Sequence, residues 1–272
     1  MPQGMGDPYA FDFKREGDGS LSFRCATNTA DWGWLALSPQ HPVVIQTQQF
    51  WTSYCAILFE GGMEEGQWSA LTWMDYCLGD LGAGHAVRGV YNRVEAERGP
   101  AFALSLFDDQ DREIVAMRGR GVVFRNRNFE EWREGAKSKA KVTRPSHPFT
   151  YASKTDLALG DGEFAFVAPL EGRAERVEAL ITHENGMPPA NAVISGSGDH
   201  VNSTHFGEVT RQALCLLTGN PAVQVLGGEM NLNRYVELGT PFALKFGPPG
   251  DGSVTFTLEQ LGKDCATITL RF

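Results

Sequence analysis

One segment late in the chain carries most of the information about its architecture: Asp199-His200-Val201-Asn202-Ser203-Thr204-His205-Phe206-Gly207-Glu208-Val209-Thr210-Arg211-Gln212-Ala213. His205, Glu208 and Gln212 follow one another at offsets of three and four, so a helix capped by Asn202 or Ser203 presents all three on one face. The next turn, residues 214–217, is wholly apolar and is typical of core. A purely structural helix rarely carries such a polar stripe, and we interpret the stripe as a candidate functional site.

Outward from this segment, the two halves of the chain carry the same succession of patterns. Apolar residues at helical spacing predict a helix over Trp68–Leu81 in the first half and over Phe206–Leu217 in the second. Strand-like runs follow each helix, at 86–94, 101–107 and 113–124 in the first half and at 222–232, 241–246, 254–261 and 265–272 in the second. We predict a duplicated unit, with domains at 1–127 and 149–272 and a basic linker at 128–148.

Composition and charge limit the classes of function. The 272 residues are 42% hydrophobic, which is ordinary for a globular protein with room for two units. The five cysteines are odd in number and include no C-x-x-C pair, which argues against a disulfide framework or a zinc site and favours a cytoplasmic setting. The pattern of a signal peptide and an apolar run of about 20 residues are both missing, so we expect neither export nor a membrane span. The net charge of -9 argues against nucleic acid as a partner.

One stretch departs from the acidic balance of the chain. Between positions 118 and 144 the sequence has nine basic residues against three glutamates: Arg118, Arg120, Arg125, Arg127, Arg133, Lys137, Lys139, Lys141 and Arg144. Such a run is usually the exposed face of a helix, here within the linker. The alternative is a docking surface for a phosphate-bearing ligand or an acidic carrier protein.

A helix followed by antiparallel strands, repeated once, resembles the double hotdog fold. This α+β architecture has two hotdog units, each a long helix wrapped by an antiparallel sheet. Asp199-His200-Val201, followed by Glu208 and Arg211-Gln212-Ala213, resembles the D-H-V-P-G…E-A-A-R-Q-A signature of the A-factor biosynthesis hotdog family. Glu208-x-x-x-Gln212 is similar to the E-x-x-x-Q of β-hydroxyacyl-carrier-protein dehydratases and to the D-x-x-x-Q of polyketide synthase dehydratase domains. The likeness covers roughly the last 75 residues, with Asn202-Ser203 in place of the Pro-Gly of the first family.

The dehydratase resemblance implies a histidine besides Glu208. His200 stands closer to the helix acid than the dehydratase histidine usually does. In fused dehydratases that histidine comes from the first hotdog, where His41 is the candidate here. Aligned on Cys77 and Cys215, the predicted first helix has Ala70 and Met74 where the second has Glu208 and Gln212, so we expect one acid site per chain. A rival pattern, Ser197-Gly198-Asp199 with Asn202 to His205, is similar to the S-G-D-x-N-P-x-H of R-specific enoyl-CoA hydratases.

Both resemblances imply chemistry on acyl thioesters carried by an acyl-carrier protein or by coenzyme A, with no other cofactor and no metal. Dehydration of a β-hydroxyacyl thioester, or its reverse, needs a base for the α-proton and an acid for the β-oxygen. The N–H groups at the helix start would polarise the thioester carbonyl, and burial would favour the protonated form of the acid. The expected catalytic residues are Glu208 with His200 or His41, and the expected substrate-binding residues are Asp199, Asn202, His205 and Gln212.

Other hypotheses stay open at this point. Conjugate addition of an amine, thioester hydrolysis by Glu208, an A-factor-type acyltransfer and a non-catalytic acyl-binding module all suit the same scaffold. Each residue also has a structural interpretation: Glu208 pairs with Arg211, Asp199 and His200 form a turn, and His205 caps or packs. A homodimer is compatible with the fold, although a double hotdog already contains the pseudo-dimer that single hotdogs assemble.

Overall fold

The chain divides into two compact units. A computed structural model describes residues 8–64, 67–97, 99–124, 129–140, 148–172, 175–182, 184–185 and 200–272. The first unit is Met1–Arg125 and the second is Asn126–Phe272. None of the helices in these described parts is both long and apolar enough to cross a membrane.

The first unit is an antiparallel sheet with one long helix. Its elements are β1 (Ala10–Arg15), β2 (Leu21–Cys25), a 3-10 turn (Gly33–Ala36), α1 (Pro42–Phe59), β3 (Trp68–Leu78), β4 (Arg88–Ala96), β5 (Gly99–Phe107) and β6 (Glu113–Phe124). The strands lie in the order β1-β2-β4-β5-β6-β3, with antiparallel pairing throughout. Helix α1 packs against β1.

The second unit repeats this plan. It comprises α2 (Phe129–Ala140), β7 (Arg176–Ala179), β8 (His200–Val201), α3 (Ser203–Thr218), β9 (Gly227–Leu232), β10 (Val236–Glu237), β11 (Phe242–Phe246), β12 (Ser253–Gln260) and β13 (Lys263–Arg271). The main sheet has the order β9-β13-β12-β11-β7, and β8 pairs with β10 in a separate short ladder. Helix α3 packs against β13.

The predicted duplication is confirmed by the order of the strands. In the first unit the strand before the helix and the four strands after it are arranged as β2-β4-β5-β6-β3. When the separate short ladder of β8 and β10 is left aside, the strands of the second unit that match these by their place in the chain have the same arrangement, β7-β11-β12-β13-β9. The predicted strands at 113–124, 241–246 and 265–272 also agree with β6, β11 and β13 to within two residues.

The prediction of a helix over Trp68–Leu81 is wrong, because this segment forms strand β3. The strand pairs antiparallel with β6, from Trp68 opposite Phe124 to Leu78 opposite Val115. Met74 and Tyr76 are buried while the residue after each is less so, which is the period of a strand with one covered face. Long aromatic and apolar side chains in this stretch satisfy both a helical and a strand spacing, and tertiary pairing decides between them.

The helix of the first unit is α1, a segment for which the sequence analysis predicted no helix. Its start is defined by His41, whose Nδ1 accepts a hydrogen bond from Val43 N at 3.2 Å, and by Pro42 at the first helical position. The helix is buried on most sides, so it lacks the one-sided apolar stripe that identifies a surface helix. Its buried residues include the polar run 46–49, which lowers its apparent hydrophobicity.

Alignment of the two helices on their N-caps replaces the alignment on cysteines. Cys77 lies on a strand and Cys215 on a helix, so the two are not equivalent. With His41 matched to Asn202, Thr47 takes the place of Glu208 and Trp51 that of Gln212. Ala70 and Met74 therefore have no bearing on the second helix.

Candidate functional site

Asn202 organises the beginning of helix α3. Its Oδ1 accepts hydrogen bonds from Thr204 N at 3.0 Å and from His205 N at 3.3 Å, which satisfies two of the N–H groups that a helix leaves unpaired at its start. The N–H groups at the start of this helix were expected to polarise a thioester carbonyl, but these two are already hydrogen-bonded to the cap. The two backbone donors also fix the orientation of the side-chain amide, because only its oxygen can accept them.

The remaining half of the Asn202 amide has a different environment. Its Nδ2 is inaccessible to solvent and has no hydrogen-bond partner among the described residues. A buried amide donor without a partner costs about 1–3 kcal/mol. The side chain thus has a buried donor without a partner among the described residues at the N-terminal end of α3.

His205 follows one turn later and is fully buried. Its Nδ1 lies 2.8 Å from Asn202 Oδ1, and its ring centre lies 6.0 Å from that of Phe166. Because an amide oxygen only accepts, Nδ1 is the protonated nitrogen of this ring. The structure therefore shows His205 hydrogen-bonded to the helix cap and packed on an aromatic ring. This agrees with the structural alternative given above, in which His205 caps or packs.

Glu208 is the centre of a buried polar cluster in the second unit. The residue is 1% exposed, and its carboxylate accepts three hydrogen bonds. Arg211 donates two of these in a bidentate pair, from Nη2 to Oε1 at 2.6 Å and from Nε to Oε2 at 2.9 Å. Gln212 Nε2 donates the third, to Oε1 at 2.9 Å. The carboxylate therefore has three N–H donors, two of them charged, and the expectation that burial favours its protonated form stays a prediction.

Arg211 is itself held on several sides. Its Nη1 donates to Leu157 O at 3.1 Å, and a carboxylate oxygen of Glu163 lies within 4.8 Å of one of Glu208. Burial lowers the pKa of Arg211, but the adjacent Glu208 carboxylate outweighs burial and holds that pKa above its ordinary value. The guanidinium is therefore a fixed positive charge beside the Glu208 carboxylate.

Gln212 ties this cluster to a distant part of the same unit. Its Oε1 accepts from Phe166 N at 2.8 Å, and its Nε2 donates to Phe164 O at 2.9 Å as well as to Glu208. The side chain is fully buried and both ends of its amide are paired. Gln212 therefore sets the position of Glu208 relative to the backbone at 164–166.

His200 belongs to a second cluster in the same unit. Strand β8 places it opposite Glu237, and its ring meets that of Tyr235 edge-on at 4.5 Å. Arg133 covers the same tyrosine ring at 4.3 Å and pairs with Glu237 through two hydrogen bonds of 3.1 and 2.7 Å. Asp199, the remaining predicted residue beside His200, lies outside the described residues.

His41 lies in the first unit, as the N-cap of α1. Its assignment as a catalytic base stays a prediction. The structure does explain why a histidine stands there, since Nδ1 serves as the cap acceptor.

The basic stretch is less exposed than its composition indicates. Arg133 is 2% exposed because of its pair with Glu237, so helix α2 is anchored to the second unit by its own cation. Lys137 pairs with Glu134 at 3.6 Å. Arg125, Arg127, Lys141 and Arg144 lie outside the described residues, and the docking-surface hypothesis is unaltered for them.

Two features of the site could not be predicted from the sequence. The link from Gln212 to the backbone of residues 164 and 166 spans more than forty positions and leaves no local signal. The unpaired Nδ2 of Asn202 becomes visible only when its oxygen is seen to be occupied. Arg211 was predicted as a structural partner of Glu208, and the ion pair is present.

Comparison of structures places this architecture among known folds, whereas no protein-family model and no curated protein matches the sequence. A protein from Lactobacillus plantarum assigned as an oleoyl thioesterase superposes with a TM-score of 0.55, at 10% identity, over 93% of this chain and 94% of its own. The chain adopts the double hotdog fold. The dehydratase domain of RzxB from Pseudomonas fluorescens has a TM-score of 0.52, at 11% identity, covering 97% and 98% of the two chains. An acyl-ACP thioesterase from Bacteroides thetaiotaomicron has a TM-score of 0.51, at 10% identity, covering 93% and 97%.

At these identities the double hotdog likeness establishes the fold alone. The α+β architecture predicted from the repeat is confirmed, including its two helix-and-sheet units. The neighbouring structures carry names from two reaction types, thioester hydrolysis and dehydration. The chemistry of the present chain must therefore be argued from its own residues.

Proposed function

We propose that this double hotdog protein acts on acyl thioesters, adding water to or removing water from the bond between Cα and Cβ. The observation that carries the proposal is Glu208, a buried carboxylate that is paired with Arg211 and oriented by Gln212. A proton-carrying group fixed in a water-poor setting is what general acid–base catalysis needs. The substrate would be carried by an acyl-carrier protein or by coenzyme A, with no further cofactor.

Asn202 supplies the second part of the site. The Nδ2 of Asn202 is buried without a hydrogen-bond partner among the described residues. The orientation of the amide is fixed because its Oδ1 accepts hydrogen bonds from Thr204 N and His205 N. A thioester carbonyl would give this donor a partner and would gain from it as negative charge develops on the oxygen. We assign Asn202 to the thioester carbonyl in place of the backbone N–H groups, which the cap occupies.

The proton transfers follow from the charge of Glu208. In hydration, the carboxylate removes a proton from water as the oxygen bonds to Cβ, and a proton is delivered to Cα. In dehydration, protonated Glu208 returns that proton to the departing hydroxyl group while a base removes the α-proton. The second proton carrier in both directions is one of the two histidines expected from the sequence, His200 or His41.

Thioester hydrolysis is the second candidate, and the pair between Glu208 and Arg211 favours it specifically. A charged carboxylate can activate water for attack on the thioester carbonyl without a histidine. The leaving thiolate needs little assistance because a thiol is far more acidic than water. Hydrolysis should therefore survive loss of every candidate histidine, whereas hydration should not.

The reaction can be identified with a panel of enoyl and β-hydroxyacyl thioesters. Mass spectrometry follows the intact thioester while a thiol reagent follows free thiol. A gain or loss of one water with the thioester intact supports hydration or dehydration, and thiol release alone supports hydrolysis. An added amine would indicate conjugate addition, and transfer to a glycerol-type phosphate would indicate acyltransfer of the A-factor type. Absence of all four would leave an acyl-binding module.

Two buried glutamates give this experiment a matched control. Glu208→Gln should reduce turnover by about 100-fold or more, as loss of an acid–base group does. Glu237→Gln also removes a charge from a buried bidentate arginine pair in the same unit, in the cluster that contains His200 rather than Glu208. If both variants lose stability to a similar extent while only Glu208→Gln loses turnover per folded molecule, Glu208 acts in catalysis. Equal retained turnover would reduce Glu208 to a structural ion pair.

A further inference from the structure

Helix α1 of the first unit has two adjacent polar side chains that nothing in the described structure satisfies. Gln46 is 1% exposed, and neither its Nε2 nor its Oε1 has a hydrogen-bond partner among the described residues. Thr47 is 0% exposed, and the same holds for its Oγ1. Both residues lie within the first two turns of the helix. Two consecutive residues near the start of the helix therefore bury hydrogen-bonding side chains without a partner among the described residues.

The neighbouring polar residues of α1 show that burial alone does not explain this. Gln49 donates to Ser53 Oγ at 3.1 Å, and Thr52 Oγ1 donates to Gln48 O at 2.6 Å. Gln48 donates its Nε2 to Tyr9 Oη at 3.1 Å. The helix thus provides partners for its other buried polar side chains, wholly or in part, and leaves Gln46 and Thr47 without any.

An unpaired buried polar atom lowers the stability of a protein without a ligand, and a polar ligand that hydrogen-bonds to it removes that cost. The amide of Gln46 offers a donor and an acceptor, and the hydroxyl of Thr47 offers both on one atom. A hydroxyl group on a ligand has the same two capacities and would satisfy them. A plain alkyl chain would leave them unsatisfied, and sites built to bond a hydroxyl discriminate strongly against a substrate that lacks it.

We propose that Gln46 and Thr47 form a binding site for a hydroxyl group of the acyl chain beyond Cβ, so that the preferred ligands are acyl thioesters hydroxylated along the chain rather than plain alkyl ones. This inference rests on the proposed function for the identity of the ligand as an acyl thioester. It adds a residue pair that determines substrate class. It also assigns a role to the first hotdog helix, where Thr47 stands at the position that Glu208 takes in the second.

The test uses ligands that cannot react. Amide-linked analogues of acyl-pantetheine, with N–H in place of sulfur, are prepared with an octanoyl chain and with the same chain hydroxylated at C5 or C7. Calorimetry gives Kd for each analogue with the full chain. The wild type should bind at least one hydroxylated analogue about tenfold more tightly than the plain one, which corresponds to about 1.4 kcal/mol. Gln46→Met, of similar shape without the amide, should abolish that preference, and Thr47→Val should reduce it.

Gln49→Met is the matched control, because it removes a buried amide of the same helix whose partner is known. It should retain the preference for the hydroxylated analogue. The proposal is overturned if the wild type prefers no hydroxylated analogue, or if Gln46→Met keeps the preference while remaining folded by circular dichroism. Turnover of the thioester panel is a separate readout. A binding preference without turnover would support this site and refute the proposed reaction. Turnover without a binding preference would support the proposed reaction and refute this site.

Discussion

Replacement of Gln212 by methionine should destabilise the protein and weaken catalysis together. The substitution keeps the length of the side chain and removes an amide that is paired at both ends. It leaves Phe166 N without its 2.8 Å bond to Gln212 in the interior, and it removes the 2.9 Å bond to Phe164 O, which lies nearer the surface. An unpaired buried backbone group costs about 1–3 kcal/mol, so Gln212→Met should cost at least this much. A loss of that size is a substantial part of the 5–15 kcal/mol that is typical of whole domains.

Urea unfolding of the wild type and of Gln212→Met measures the change in the free energy of unfolding. Hydrogen exchange at Phe166 provides a local readout, because its amide loses its acceptor and should exchange faster while distant strands stay protected. Turnover per folded molecule should fall about tenfold, since Glu208 keeps Arg211 but loses the bond that orients it towards residues 164–166.

Gln260 is the control for this prediction. It is also buried in the second unit, where its Oε1 accepts from Glu237 N at 2.7 Å and its Nε2 donates to Glu237 O and Thr240 O at 3.0 and 2.9 Å. Gln260→Met should destabilise the protein by a similar amount without reducing turnover per folded molecule. A loss below about 1 kcal/mol for Gln212→Met would refute the assignment of its hydrogen bonds. Equal turnover in the two variants would refute its role in orienting Glu208.

Three other predictions test the fold. Burial raises the pKa of Asp108, but N–H donors from Gly84, Gln110 and Arg112 outweigh it and hold that pKa well below its usual range. The stability that the lowered pKa provides is complete above the unfolded pKa of about 4 and is lost as the pH falls below it. In urea unfolding, the difference in the free energy of unfolding between wild type and Asp108→Asn should therefore be smaller at pH 3 than at pH 7. An equal difference at the two pH values would contradict this. Cys77 is the exposed one of the five thiols, and a thiol reagent should label it alone in the native protein, so rapid labelling of a second would contradict the burial of the others. A Cβ at Gly79 would lie 2.2 Å from Glu113 O, a backbone atom, so Gly79→Ala should cost about 1–3 kcal/mol in urea unfolding, and a neutral effect would contradict the close approach of the two strands.

Strands β4 to β6, strands β11 to β13 and helix α3 could be predicted because local and tertiary preferences agree there. Helix α3 has a strong cap in Asn202 and a left-handed glycine, Gly219, at its C-terminal end. Strands β12 and β13 alternate buried and less buried residues along much of their length, as the sequence pattern does. Glu208 and Gln212 were found for the same reason, since their spacing on a recognisable helix puts them on one face.

Helix α1 and strand β3 could not be predicted because tertiary burial overrides their local patterns. The polar side chains at 46–49 are all buried, although their sequence is that of a solvated segment. Met74 and Tyr76 face the core two residues apart, although Met74 also fits a helical spacing with Leu71 and Leu78. Strand β3 pairs with β6, and the paired residues are 37 to 56 positions apart in the sequence, so no local window contains that information.

The divergence of the two hotdog helices explains why one repeat carries the acid. In α3 the residues three and four positions after Glu208 are Arg211 and Gln212, which supply the positive charge and the amide that make a buried carboxylate tolerable. In α1 the residues three and four positions after Thr47 are Phe50 and Trp51, which can supply neither. An acid at position 47 would be buried without a counter-charge on its own helix, at a cost of several kcal/mol. A neutral hydroxyl is the polar group that this helix can carry there, so α1 is suited to bind a substrate group and α3 to move a proton.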